Sequence, residues 1–184
     1  ELVDHGFAVL TVCYTDVTAD NDDFTDGLAG TYYQTGIRKP DDAGKIALWA
    51  WAAHRMLDYA QSIPDKLDLR CAVVCGNSRL GKTTLLAAAT DPRFSFCYST
   101  DSGCSGAAVT RGKGGETVSD ICRVFPYWFC ENYYKYSDNE DAMPFDQHFL
   151  VAANYPHRVY VASAEDDAWA CPKNEFLACT LASD

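Results

Sequence analysis

A chain of 184 residues, 48% hydrophobic and 22% charged, has the material for about one folded domain with its own core. A net charge of −11 argues against nucleic acid and anionic membrane surfaces as partners. No run approaches the roughly 20 apolar residues of a membrane span, and the first residues carry no basic-then-apolar leader pattern.

Taken in order, Gly6-Phe7-Ala8-Val9-Leu10-Thr11-Val12-Cys13-Tyr14 is near-continuously apolar and β-branched, which predicts a buried strand. Asp16, Asp20, Asp22, Asp23 and Asp26 follow, then glycines and Tyr32-Tyr33. Their spacing does not fit the EF-hand calcium pattern, so the stretch reads as a solvated acidic loop. Asp41-Asp42 can start a helix running to Gln61, with Ile46, Trp49, Ala53, Met56, Leu57 and Ala60 on one face. Trp49 and Trp51 both read as core. After Pro64, residues 71–75 predict a short buried strand, 76–80 a tight turn, and 80–90 an Ala/Leu-rich helix stopped by Asp91-Pro92.

Residues 94–99 predict a further strand, leading into Thr100-Asp101-Ser102-Gly103. A glycine-rich loop over 110–115 holds Arg111 and Lys113, and Glu116-Thr117 opens a short helical stretch. Phe125-Pro126-Tyr127-Trp128-Phe129 is an aromatic packing cluster. Residues 144–153 predict a helix, 158–163 a fourth strand, and 174–181 a closing helix, with Glu165, Asp167 and Trp169 at the fourth strand's carboxyl end. Strands alternating with helices imply a parallel sheet covered on both faces, whose carboxyl ends converge on one crevice. The nine cysteines form no CxxC and no zinc spacing with the four histidines, so no metal is expected. The sequence gives no disulfide connectivity.

The turn between the 71–75 strand and its helix admits two chemistries. Gly76-x-x-x-x-Gly81-Lys82-Thr83 satisfies the phosphate-binding loop of an NTPase, in which backbone N–H groups cradle phosphates. Gly76-Asn77-Ser78 at the same turn also resembles a nucleophile elbow, although Leu80 stands where a glycine is usual and Gly81 follows. A strand ending in Asp101 suits either. A serine hydrolase needs a nucleophile, a base, an acid and an oxyanion site; Ser78 precedes candidate acids Asp101 and Asp167 in the chain order such a sheet uses.

Across nearly its whole length the chain resembles bacterial glucuronoyl esterases of carbohydrate esterase family fifteen. The resemblance rests on G-N-S-R-L-G-K-T, S-T-D-S-G-C-S-G-A-A, G-E-T-V, N-E-D-A-M-P-F-D-Q-H and V-Y-V-A-S-A-E-D-D-A-W-A. It implies an α/β-hydrolase, a three-layer sandwich with a mostly parallel sheet, cleaving esters of 4-O-methyl-glucuronic acid in glucuronoxylan–lignin complexes without metal or cofactor. Ser78 would be the nucleophile, Arg79 the oxyanion partner, Lys82 and Glu116 hydrogen-bonding partners of the sugar, and Trp169 a stacking platform. Asp101 and Asp167 occupy both places where the family carries its acid. Ser105, Cys171 and His157 depart from the family pattern. The family's catalytic histidine lies beyond the Trp169 segment, and His148 reads as structural, so the expectation is a partial domain lacking N-terminal strands and the histidine loop. The resemblance implies a secreted or periplasmic protein. An acetylxylan esterase, a phosphate-loop NTPase and a non-catalytic carbohydrate binder are the competing functions.

Overall fold

The computed structural model describes residues 1–34, 36–112 and 114–183; Lys113 of the glycine-rich loop lies outside the described residues. Three parallel strands, β1 (Val73–Asn77), β2 (Phe96–Thr100) and β3 (Arg158–Ala162), lie side by side in that order. Val73 pairs with Phe96 and Phe96 with Arg158, so all three carboxyl ends finish level, at Asn77, Thr100 and Ala162. Among the described residues, seven α-helices accompany them: α1 (Tyr14–Val17), α2 (Gly27–Tyr33), α3 (Lys45–Gln61), α4 (Arg79–Thr90), α5 (Val118–Val124), α6 (His148–Ala152) and α7 (Pro172–Ser183).

The strands alternate as a half-covered sheet must. Val74, Cys97, Ser99, Val159 and Val161 are buried or partly buried, and Leu85, Ala87 and Ala88 of α4 and Ala50, Leu57 and Ala60 of α3 join the same core. Val73, Cys75, Tyr98 and Tyr160 face the other way and stay exposed, with the Tyr98 and Tyr160 rings stacked at 5.3 Å. Among the described residues, helices therefore cover one face. A second core joins Ile46 and Trp49 of α3 to Val118, Ile121 and Trp128, which confirms the aromatic cluster as packing. Trp51, expected in the core, is 45% exposed, one residue-step off the buried face of α3.

The first expected strand does not form. Residues 6–13 carry no strand pairing and are exposed. The run lines one wall of an apolar groove of about 800 Å3 whose other wall includes Val73, Val74 and Cys75. A strand needs a hydrogen-bonding neighbour about 4.8 Å away, and among the described residues β1 pairs only with β2. Two helices start later than expected, for one reason. The Asp42 carboxylate accepts the Lys39 N–H at 2.7 Å, so it closes a turn rather than capping α3. The Asp146 carboxylate accepts the N–H groups of Thr110, Arg111 and Gln147, so it ties a loop down and α6 begins at His148. All nine cysteines are free.

Candidate active site

β1 ends at Asn77 and α4 begins at Arg79, so Ser78 alone makes the turn, at φ 55° and ψ −121°. A left-handed φ on a serine is strained, and it is held here by its surroundings: the Ser78 N–H donates to the Thr100 carbonyl at 2.8 Å, and the Lys82 N–H to the Ser78 carbonyl at 3.1 Å. The turn closes this tightly because of two glycines. A Cβ on Gly76 would sit 2.5 Å from the Leu80 carbonyl oxygen, and one on Gly81 2.9 Å from that of Thr100. The offset second glycine that weakened the elbow reading in the sequence is thus explained: it lets α4 press onto the end of β2. Ser78 stands exposed at the carboxyl edge of the sheet.

That geometry overturns the phosphate-loop reading. A one-residue turn has no loop to wrap a phosphate, and the Lys82 ammonium is buried, donating to the Ser102 carbonyl. The Thr83 hydroxyl donates to the Arg79 carbonyl at 2.9 Å inside the helix.

The neighbouring strand ends bring the other predicted residues to the same edge. Asp101 follows β2 with φ 44°; its Oδ1 accepts the Ala164 N–H at 2.7 Å and its Oδ2 the Asn77 side-chain amide at 3.4 Å, linking all three strand ends. Asp167, beyond β3, has one oxygen, Oδ1, accepting the N–H groups of Trp169 (3.1 Å) and Ala170 (2.9 Å). Trp169 is 56% exposed, and its carbonyl accepts the Glu116 N–H at 2.9 Å. Glu116 in turn faces Lys82, carboxylate to ammonium 3.9 Å. Ser78, Arg79, Lys82, Asp101, Glu116, Asp167 and Trp169 are therefore tied into one constellation. None of them lines the large apolar groove, which opens beside β1.

Lys82 and Glu116 are both largely buried, and burial pushes both toward neutrality. It lowers the amine and raises the carboxyl, against the attraction between the two. The pair brings an N–H donor and a carboxylate acceptor together at this edge, a combination that suits hydroxyl groups. The nearby Cys104 thiol is pushed up by burial to about 12, so it offers no thiolate to compete with Ser78. Among the described histidines, His157 precedes β3 at the amino edge, and His54 contacts the Ala87 carbonyl near the far end of α4, both remote from Ser78 in the fold. His148 opens α6, with its Nδ1 buried and without a hydrogen-bond partner.

Two acids missed in the sequence shape this edge. Asp20, expected to be solvated, forms an ion pair with Arg79, its side chain only 13% exposed. Glu175 of α7 is fully buried and accepts from the Ser102 hydroxyl (2.8 Å), the Gly103 N–H (2.8 Å) and the Ser163 hydroxyl, clasping the loops after β2 and β3. One signal for Asp20 was available: the first 37 residues hold seven acids and no Lys or Arg, so a Lys or Arg partner has to come from beyond residue 37.

The family model described as "Glucuronyl esterase, fungi" matches residues 2–184. A carbohydrate esterase from an unknown prokaryotic organism is 41% identical over 94% of this chain and 40% of its own length. A 4-O-methyl-glucuronoyl methylesterase of Schizophyllum commune is 31% identical over 77% of this chain and 38% of its own. Among solved structures, a CE15 glucuronoyl esterase from Teredinibacter turnerae superposes with a TM-score of 0.86 at 32% identity, covering 93% of this chain and 42% of that one. The glucuronoyl esterase from Solibacter usitatus gives 0.75 at 46% identity, covering 80% and 37%. The chain spans about two fifths of the length of these relatives. With strand order, elbow and matches in agreement, the chain has the α/β-hydrolase fold and belongs to the glucuronyl esterase family.

Proposed function

We propose that these residues are the nucleophile-bearing part of a serine esterase acting on esters of (4-O-methyl-)glucuronic acid, such as those between glucuronoxylan and lignin alcohols. The observation that carries this reading is the strained one-residue turn that lifts Ser78 clear of the sheet immediately before Arg79. The Ser78 hydroxyl attacks the ester carbonyl carbon and its proton passes to a base. The carbonyl oxygen becomes an oxyanion beside the Arg79 guanidinium and the N–H groups at the start of α4. The carbon–oxygen bond to the alcohol then breaks, the alcohol leaves with the proton, and water releases the uronate from Ser78 by the same steps.

Lys82 and Glu116 hold the sugar hydroxyls and the exposed Trp169 indole stacks on the ring, while Asp101 and Asp167 serve the base. That base is a histidine contributed from outside these 184 residues. The names of the relatives support the substrate class; the exposed aromatic beside the buried Lys82–Glu116 pair supports a sugar rather than a simple alkyl ester.

In the full-length protein, Ser78→Ala should cut turnover of a benzyl glucuronate ester by about 10⁴-fold or more, as loss of the nucleophile does in other triads. Near-normal turnover in that variant would remove Ser78 from the chemistry and this reading with it. Faster release of acetate from acetylated xylan than of benzyl alcohol from the uronate ester would redirect the reading to an acetylxylan esterase.

A further inference from the structure

The contacts of Asp20 go beyond holding a loop. Its Oδ2 accepts from Arg79 Nη1, and its Oδ1 accepts the Trp128 indole N–H at 2.7 Å. The Tyr14 hydroxyl lies 3.4 Å from the same Oδ2, and the Tyr127 hydroxyl donates to the Asp20 backbone carbonyl at 3.0 Å. The Arg79 guanidinium sits 5.1 Å from the Trp128 ring and 5.7 Å from that of Phe125, and those two rings stack at 3.8 Å, 2° from parallel. One cation is thus gripped by a carboxylate and an aromatic pair, with 32% of its side chain still exposed.

The loop that carries Asp20 is itself anchored. The Asp26 carboxylate accepts the Thr18 hydroxyl (3.0 Å) and the Ala19 N–H (2.8 Å). The Lys45 ammonium, fully buried on α3, donates to the Thr18 hydroxyl (2.7 Å) and the Asp23 carbonyl (2.6 Å), and lies 3.2 Å from Asp26. The Trp49 indole donates to the Thr18 carbonyl at 3.2 Å. The residues on either side of Asp20 are therefore fixed to the helix core, and Asp20 is aimed by them.

We infer that Asp20 is a positioning residue for Arg79: it holds one side of the guanidinium so that the remaining N–H groups stand ready for the developing oxyanion. This rests on the proposed role of Arg79. A long cation left free would have to be ordered in the transition state, whereas one already held needs no reorganisation when charge develops. A bare carboxylate near an oxyanion would oppose the reaction. Asp20 avoids this because both its oxygens accept from donors, one of them cationic.

The test uses the full-length protein with Asp20→Asn, Asp20→Ala, Arg79→Ala and the Asp20→Ala/Arg79→Ala pair. Two readouts apply: kcat and KM on a benzyl glucuronate ester, and the side-chain ¹⁵N signals of Arg79, assigned by their loss in Arg79→Lys. Asp20→Ala should lower kcat about 10–10²-fold, somewhat less than removal of an oxyanion donor itself, with KM within about threefold. In the Arg79→Ala background the same change should cost nothing further. The Arg79 guanidinium should show hindered rotation in the parent and free rotation in Asp20→Asn. Equal losses in both backgrounds, a faster Asp20→Asn, or an unchanged Arg79 signal would overturn the inference. If Asp20→Ala does not fold, Asp20→Asn, which keeps the size of the side chain, carries both readouts. Should the full-length protein show no Ser78-dependent turnover, the esterase reading fails separately, and the guanidinium signal alone decides whether Asp20 holds Arg79.

Discussion

The two edges of the sheet use the same residue types differently. At the amino edge, Arg93 donates to Asp58 at 2.7 Å, to Gln61 at 2.6 Å and to both oxygens of Asp91, while Arg70 and Asp68 pair beside β1. These acids are committed to cations and close the ends of α3, α4 and the strands. At the carboxyl edge, Asp101 and Asp167 bond only to backbone N–H groups and an amide, with no ion pair to either among the described residues. A carboxylate held by neutral donors keeps its negative charge available for an incoming cation. In the proposed esterase, the imidazolium formed during ester cleavage would be such a cation. The partner, more than the residue type, separates acids that serve shape from acids available for chemistry.

The largest effect that could break this distinction is kinetic. Asp101→Ala and Asp167→Ala should each reduce kcat of the full-length protein only about tenfold or less, because either carboxylate can stabilise the same imidazolium. The double variant should approach the roughly 10⁴-fold loss seen when a triad acid is disabled. Turnover of a benzyl glucuronate ester measures it. Simple multiplication of the two single losses would mean that at most one of these acids faces the base.

Much of the carboxyl edge was legible because its signals are local. A strand, Gly76-x-Ser78 and an Ala-rich helix specify a sharp turn from neighbouring residues alone, and Ser78 proved to be its single strained residue. The strands over 73–77, 96–100 and 158–162 were legible as short apolar runs and shifted by at most two residues at either end. Residues 6–14 gave an equally strong strand signal and form none, since pairing depends on a neighbour that composition cannot reveal. Asp20 and Glu175 were illegible for a related reason. Arg79 lies 59 residues from Asp20 and Ser102 73 from Glu175, and an acid in a polar run looks the same whether it meets water or a half-buried arginine.

Glu175 sharpens the comparison, because it also accepts only from neutral donors yet is fully enclosed. Enclosure makes it structural. Glu175→Ala would strand the hydroxyls of Ser102 and Ser163 and the Gly103 N–H, and should destabilise by about 3 kcal/mol, the scale of a buried hydrogen-bond network losing its hub. Glu175→Gln, which retains an acceptor oxygen, should cost about 1 kcal/mol. Urea unfolding of the full-length protein measures both. A loss below a few tenths of a kcal/mol in the alanine variant would show that the two loops hold without the clasp.

The smallest expected effect tests the amino edge through pH. The hydrogen bond from Arg93, aided by its charge and opposed by partial burial, lowers the Asp91 pKa to about 2 from the usual 3.8. A folded-state pKa below the unfolded one means that the pair stabilises the protein above the unfolded value. That contribution is fully present near neutrality, begins to fade as pH falls through about 4, and is gone below about 2. The shift corresponds to about 2 kcal/mol at most, discounted toward 1 because solvent reaches part of the pair. Asp91→Asn should therefore lower the unfolding free energy by about 1–2 kcal/mol at pH 6, with the gap to the parent narrowing steadily between pH 4 and pH 2. Urea titrations of both proteins across that range give the gap directly. A gap that stayed constant with pH would assign the effect of Asp91 to its packing and its N–H acceptor role. The contrast between the charge-paired Asp91 and the neutral-bonded Asp101 and Asp167 would then no longer hold.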